Sequence, residues 1–361
     1  MDHLPLSIQK PGRYLASEIN ACRKDFDRAR TRFLLAFPDL YEVGMSHLGL
    51  HVLYQLLNGL EGVMADRAYA PWHDLEGLLR SRGELLRAHE SRRPLKDFDF
   101  VGFSLQYELS YTNVLTMLDL GGIPIHSGDR GAADPWVIAG GPCAFNPEPL
   151  ADFLDFVVLG EAEEVLVQIV DLHREWGGSR ADREGFLRAV AEVPGVYVPS
   201  FFEVTYEEPH GVIRSIDPRL PSHPMVRKRL VMDLDRRSPI PVKPLVPMGD
   251  IVHNRLSLEI ARGCTRGCRF CQAGYIYRPV RERHPGEVLA SACEALKNSG
   301  FEELSLLSFS TGDYCQIQPL LSALVDRLED ARVAVSFPSM RVGTLTPELM
   351  ELVRRVRKTG F

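Results

Sequence analysis

The stretch Arg255–Gly274, "RLSLEIARGCTRGCRFCQAG", decides the reading of this chain. Its run "SLEIA" reads as a strand, and the loop leaving that strand carries Cys264, Cys268 and Cys271 at the spacing C-x3-C-x2-C. An iron–sulfur cubane bound only for electron transfer takes four protein thiolates, so three leave one iron open to another ligand. The loop sits at a strand's carboxyl end, where α/β sheets place their chemistry, and Gly263, Gly267 and the short Thr265 leave it room to wrap a cluster.

Structural zinc is the competing use of such thiols, with Cys293, His284 or Cys315 as a fourth ligand. Zinc ligands usually come as two close pairs, which this spacing lacks. Simple electron carriage would need a fourth thiolate nearby, and Cys293 lies 22 positions beyond Cys271 on an expected helix that runs away from the loop.

Beyond the loop, strands and helices alternate: the helix "PGEVLASACEALKNSG", the strand "ELSLLSF", the helix "IQPLLSALVDRLED", the strand "VAVSFPS" and the helix "PELMELVRRVRKTG". With "SLEIA" this makes half a barrel's worth of parallel strands over residues 251–361. The final "KTGF" reads as an interruption, so the chain is expected to be truncated within its barrel. The intervening "QAGYIYRPVRERHPGEV" interleaves Tyr275 and Tyr277 with Arg278, Arg281 and Arg283, which suggests either an anion-binding segment or a solvated basic entrance to a helix.

Upstream, residues 31–178 also alternate strand and helix, from "RFLLAF" through "SHLGLHVLYQLLNG", "FDFVGFSL", "LSYTNVLTMLDLGG", "PWVIAGG" and "DFVVLG" to "EAEEVLVQIVDL". The pattern implies a Rossmann-like parallel sheet, with Ser46 as a cap of its first long helix. Residues 1–30 form an extension, and residues 179–250 a connector with a helix near "REGFLRAVAEV", a strand "SFFEVTYEE" and a stiff Pro-rich end.

The 361 residues accommodate two cored domains, and a net charge of -6 with scattered Lys and Arg gives no indication of nucleic acid. The start "MDHLPLSIQKPGRYL" has no basic segment followed by an apolar core, and no apolar run reaches spanning length, so a cytoplasmic protein without membrane contact is expected. Cys22, Cys143, Cys293 and Cys315 read as free thiols of a reducing compartment.

"CTRGCRFC" closely resembles the signature of the radical S-adenosylmethionine (radical SAM) enzymes, with Phe270 as its aromatic residue. The resemblance implies a [4Fe-4S] cluster on Cys264, Cys268 and Cys271, whose open iron chelates the amino and carboxylate groups of S-adenosylmethionine. One-electron reduction, supplied by a partner such as flavodoxin or ferredoxin, then yields a 5'-deoxyadenosyl radical that removes hydrogen from a substrate of unknown identity. The family's Gly-rich turn after the second strand matches Ser310, Thr311, Gly312 and Asp313, and Ser339 and Arg341 after the third strand are further cofactor candidates. No catalytic residue is assigned beyond the cluster ligands. The turn residues read equally as helix caps.

The motif order "KPGRYL", "AFPDLYEVGMSHLGL", "AGGPCAFNPEPLADF", "VVLGEAEE" and the cysteine loop resembles one group of radical SAM proteins along essentially the whole chain. The N-terminal domain is similar to cobalamin-binding domains, which makes Gly140, Gly141, Gly160 and Glu161 candidate cobalamin contacts. The cobalt-ligating pattern D-x-H-x-x-G is absent, and His47 reads as a cap or packed side chain. Methylthiotransferase relatives carry three further N-terminal cysteines, whereas only Cys22 and Cys143 precede Cys264 here. The alternative to an enzyme is a metal- or partner-binding module left by loss of the later barrel strands.

Overall fold

The computed structural model describes residues 4–209, 211–220, 225–341, 343–344 and 346–356. It is a mixed α/β structure whose main sheet is largely parallel, divided into two compact units. The first comprises Met1–Ala16, Cys22–Gly44 and Leu56–Leu230; the second comprises Ser17–Ala21, Met45–Gln55 and Val231–Phe361.

In the first unit, β1 (Thr31–Phe37) is followed by α1 (Tyr41–Gly44), the start of the shared helix α2 (Leu48–Gly59), β2 (Val63–Tyr69) and α3 (His73–Arg82). The chain continues through β3 (Phe100–Ser104), α4 (Tyr111–Leu120), β4 (Trp136–Gly140), β5 (Phe156–Val158), α5 (Glu163–Glu175), α6 (Arg183–Ala191) and β6 (Val196–Tyr197). The six strands are ordered β2-β1-β3-β4-β5-β6, and all pair in parallel except β6. Phe33 through Phe37 are all buried, the run of apolar residues expected of a strand covered on both faces. On α5, Val165, Leu166, Ile169 and Val170 form the inward stripe, each contributing about 1.5–3 kcal/mol when fully buried.

The strand β2 was not legible from its sequence, because Asp66 and Arg67 break its apolar pattern; both are fully buried. Arg67 Nε donates to Glu90 Oε1 at 2.7 Å, and Asp66 Oδ1 accepts from the backbone N–H of Arg67 and of Glu90 at 2.6 and 2.8 Å. The charged interruption is therefore an internal network. His173 on α5 is also fully buried, with Nδ1 3.2 Å from Thr31 Oγ1.

The hairpin of β7 (Phe202–Glu207) and β8 (Val212–Pro218) forms a separate two-stranded sheet, with Val204 opposite Ile216, Tyr206 opposite Ile213 and Glu203 opposite Asp217. The strand "SFFEVTYEE" thus acquires a partner that the sequence did not announce.

In the second unit, the short α7 (Leu234–Arg237) precedes β9 (Leu256–Glu259) and β10 (Ala261–Arg262); α8 (Ala273–Ile276), β11 (Arg281–Glu282) and α9 (Pro285–Ser299) follow. Then come β12 (Glu303–Leu307), α10 (Ile317–Leu328), β13 (Ala334–Ser336) and α11 (Pro347–Arg354). The parallel sheet β13-β12-β9 lies under a core that includes Leu258, Ile260, Val288, Leu304, Leu306, Leu321 and Val335. Of the expected last helix, residues 357–360 lie outside the described residues, as does most of "KTGF" with Phe361. His284 caps α9, its Nδ1 accepting from Gly286 N–H at 3.1 Å, and Gly300 ends the helix at φ 72°.

The start of α2 corrects one cap assignment. Leu50 N–H donates to His47 Nδ1 at 3.1 Å, so His47 is the cap, while Ser46 Oγ accepts from His253 N–H at 3.0 Å. Among the described residues no helix is long and apolar enough to cross a membrane.

Candidate functional site

The cysteine loop is a lasso. Its neck is the antiparallel pair β10–β11, which sets Arg262 opposite Arg281, and everything from Gly263 to Val280 loops out between them. Gly263 has φ 89°, and a Cβ there would stand 2.6 Å from the carbonyl oxygens of both Tyr277 and Pro279. Only glycine lets the outgoing and returning strands close that neck.

Two arginines pin the neck from within. Arg281 donates to the carbonyls of Val231, Pro279 and Tyr277 at 2.7, 3.1 and 3.1 Å, and Arg283 to those of Leu234 and Ser238 at 2.7 and 2.9 Å. Both are buried, so neither the anion-binding nor the solvated reading of this segment describes them. Tyr314 O–H donates to the Arg283 carbonyl at 2.8 Å, and burial pushes its phenol up to about 12. Arg278 does remain exposed, its guanidinium stacked 4.7 Å over the Tyr275 ring.

Within the lasso, Gly267 sits at φ 62°, Cys271 N–H donates to the Cys268 carbonyl at 3.0 Å, and Arg266 N–H lies 3.5 Å from Cys264 Sγ. Cys268 is exposed, Cys264 and Cys271 are partly exposed, and all three are free thiols. Among the described residues no three His, Cys, Asp or Glu side chains converge as ligands of a single ion. His284 is engaged as a helix cap, and Cys315 binds Glu282 through both backbone N–H (3.0 Å) and thiol, a contact that raises its pKa. Three accessible thiols on one Gly-jointed loop fit a cluster in which each thiolate has its own iron. Phe270, the signature's aromatic residue, is 93% exposed and packs against neither strand-end turn.

The turn after β12 meets this loop through an ion pair. Arg266 Nε donates to Asp313 Oδ2 at 2.6 Å and Nη2 bonds the other carboxylate oxygen, which holds the Asp313 carboxyl below its ordinary range. Thr311 N–H donates to the Ser339 carbonyl at 2.9 Å, and a Cβ on Gly312 would lie 2.4 Å from Thr344 Oγ1, so the turn after β12 and the segment after β13 are locked together. The helix α10 begins only at Ile317, with no side-chain cap, so Ser310, Thr311 and Asp313 do not serve as its caps. Arg341 is exposed and adds its charge to the field on Asp313. Ser336, in contrast, donates to Glu303 Oε1 at 3.0 Å, away from the turn. Arg266 is the residue that sequence reading passed over; its position inside the signature, with an acid expected on the next strand end, was the available signal.

At the carboxyl edge of the N-terminal sheet, two of the candidate glycines have an internal reason. A Cβ on Gly160, at φ 102°, would stand 2.2 Å from the Arg229 carbonyl, and one on Gly141, at φ 103°, 2.6 Å from that of Leu105. The chain's own backbone fills both close approaches, so these positions are not open cradles for a ligand. Glu161 is buried, with its N–H on the Arg229 carbonyl at 3.0 Å. Gly140 faces open space, its nearest neighbour being the Val158 carbonyl at 3.7 Å. Val43, Trp72, Tyr107 and Leu109, which follow β1, β2 and β3, are exposed along the same edge.

Comparison with known proteins agrees with this picture. Residues 49–199 match the family of radical SAM proteins, N-terminal domain. An uncharacterised protein of Methanocaldococcus jannaschii is 26% identical over 322 residues, which cover 89% of this chain and 57% of that protein. The threonylcarbamoyladenosine tRNA methylthiotransferase MtaB of Bacillus subtilis is 31% identical over 110 residues, 29% of this chain and 24% of the enzyme. In structure, the radical S-adenosylmethionine methyltransferase TsrM of Kitasatospora setae, solved with cobalamin and a [4Fe-4S] cluster, superposes with a TM-score of 0.55 at 15% identity, over 91% of this chain and 59% of TsrM. The same enzyme with tryptophan and an S-adenosylmethionine analogue gives 0.52 at 14% identity. The chain thus spans under three fifths of the length of the archaeal relative and of TsrM. A domain match in the first half and a signature loop in the second lead to one conclusion: the chain belongs to the radical SAM superfamily, as a member with the radical SAM N-terminal domain.

Proposed function

We propose that Cys264, Cys268 and Cys271 hold three irons of a [4Fe-4S] cluster and that the neighbouring strand ends bind S-adenosylmethionine. When bound, these cofactors supply reductive carbon–sulfur cleavage and a 5'-deoxyadenosyl radical that takes hydrogen from a substrate. The observation that carries the reading is the lasso itself: three accessible thiols at the carboxyl end of β9 and β10, tied by Arg266 to the turn after β12. The protein's share of the chemistry is to bind, orient and shield. Between Gly263 and Arg281 the sequence has no acidic residue, and Arg266, Arg269 and Arg278 are exposed, a charge that suits an acidic one-electron carrier of the flavodoxin or ferredoxin kind.

We extend the proposal to cobalamin at the carboxyl edge of the N-terminal sheet. The likeness of fold to cobalamin-bound TsrM, the room at Gly140 and the exposed Val43, Trp72, Tyr107 and Leu109 support it. His47 is engaged as a helix cap, so this mode leaves cobalt without a ligand from it.

The test is anaerobic reconstitution with iron and sulfide, then electron paramagnetic resonance of the reduced protein with and without S-adenosylmethionine, with Cys268→Ala as control. A cubane signal that shifts with the cofactor supports the enzyme reading. A cluster that takes no notice of the cofactor would leave the non-catalytic module.

A further inference from the structure

Arg266 and Asp313 come from different loops, 47 residues apart in sequence, and meet fork to carboxylate. Each is anchored through its backbone: Arg266 N–H lies 3.5 Å from Cys264 Sγ, and Asp313 closes the turn whose Thr311 is held by Ser339. The positions are fixed while the charged ends stay accessible, with 36% of the Arg266 side chain and 25% of Asp313 exposed.

A paired cation and anion at this exposure attract each other weakly, because water already solvates both. The buried pair Arg67–Glu90, with exposures of 0% and 3%, has no such freedom. An open pair of this kind is complementary to any ligand that carries one charge of each sign on neighbouring atoms. The α-amino-carboxylate head of an amino acid is such a ligand: a guanidinium fork binds a carboxylate in two parallel hydrogen bonds, and an aspartate accepts from an amino group.

We propose that the Arg266–Asp313 pair is the receptor for the amino-acid head of S-adenosylmethionine, Arg266 taking the carboxylate and Asp313 the amino group as the pair opens. The assignment rests on the function proposed above and adds to it a positioning residue inside the signature loop. Mutual pairing is exchanged for two ligand contacts, so no charge is left without a partner in either state. Because Asp313 is held ionised by its neighbours Arg266 and Arg341, it is ready to accept from the incoming amino group. The same exchange links cofactor binding to the cysteine loop, since Arg266 sits between Cys264 and Cys268.

Binding of three probes to the anaerobically reconstituted full chain tests this: S-adenosylmethionine, its decarboxylated form, and methylthioadenosine, which lacks both head groups. Arg266→Gln is expected to weaken S-adenosylmethionine roughly ten- to hundredfold, the range for a lost charged hydrogen bond, and to leave the decarboxylated form within about twofold. Asp313→Asn is expected to weaken both amino-bearing probes and to leave methylthioadenosine unchanged. Iron content and melting temperature report on the loop itself. If Arg266→Gln loses iron, Arg266→Lys, which keeps the charge without the fork, decides by losing part of the carboxylate preference. Equal weakening of all three probes by either Arg266 variant, or no change, overturns the receptor. Wild-type protein that binds no S-adenosylmethionine overturns the proposed function together with it.

Discussion

Arg67 donates to Glu90 Oε1 from both Nε and Nη2, at 2.7 and 2.5 Å, with 0% and 3% of the two side chains exposed. Burial holds the Glu90 carboxyl well above its ordinary range, against the pull of the Arg67 charge. Glu90→Ala is therefore expected to remove about 3–5 kcal/mol of stability, because it strands a buried guanidinium. Glu90→Gln, which keeps an acceptor oxygen, should lose less than half of that. Urea denaturation of the two variants checks the ratio; equal losses would refute it.

A second prediction concerns acid. His173 is fully buried against Phe100, and burial lowers its pKa from the ordinary 6.5. Its Nε2 has no hydrogen-bond partner among the described residues, so protonation would place a buried N–H without an acceptor. With a depressed folded-state pKa, the contribution of neutral His173 is complete above about pH 6.5 and declines as pH falls below it, because the unfolded chain takes up the proton first. Stability should drop between pH 7.5 and 5.5, and His173→Gln should flatten that part of the profile. Denaturation midpoints at the two pH values measure it.

Glycines give a paired test. Gly160→Ala places a Cβ 2.2 Å from a backbone carbonyl at φ 102°, and is expected to cost about 2–4 kcal/mol from strain and overpacking. Gly77→Ala, inside α3 with nothing within 4 Å, is expected to gain about 0.5–1 kcal/mol. Thermal melts should move in opposite directions. Cobalamin binding, if it used Gly160, would be lost in a Gly160→Ala protein that still folds.

Iron content separates the cysteines. Replacing Cys264, Cys268 or Cys271 by Ala should each abolish retention of a cubane, whereas Cys293→Ala and Cys315→Ala should keep full iron per chain. Loss of metal in the Cys293 variant would point instead to a fourth protein ligand.

The strands that carry the fold were readable where burial produces an unbroken apolar run, as in β1, β4 and β12. They were unreadable where a charge is neutralised at a distance: Asp66 and Arg67 look like a loop until Glu90, on another segment, completes the network. The three thiols were legible because their spacing is local. Arg266 was not, since its partner Asp313 is brought to it only by the parallel pairing of β9 with β12. The same holds for Gly141 and Gly160, whose small size answers to backbone segments that fold back from far along the chain. Arg281 and Arg283 looked like surface charge, and only the carbonyls of residues 231–238 show them to be internal fasteners.

The hairpin β7–β8 has a consequence for how the protein behaves in a crowded solution. Among the described residues it pairs with no third strand, so each strand offers an outer edge to which another chain could add, and Tyr206, Ile213 and Ile216 on its apolar face are each at least 39% exposed. Glu203 stands opposite Asp217, and the register slips between Thr205 and Tyr206. Like charges across the ribbon weaken it slightly, and the slip twists it, but both also repel or misalign an incoming copy. What keeps this exposed ribbon from seeding aggregates is two carboxylates and one irregular residue.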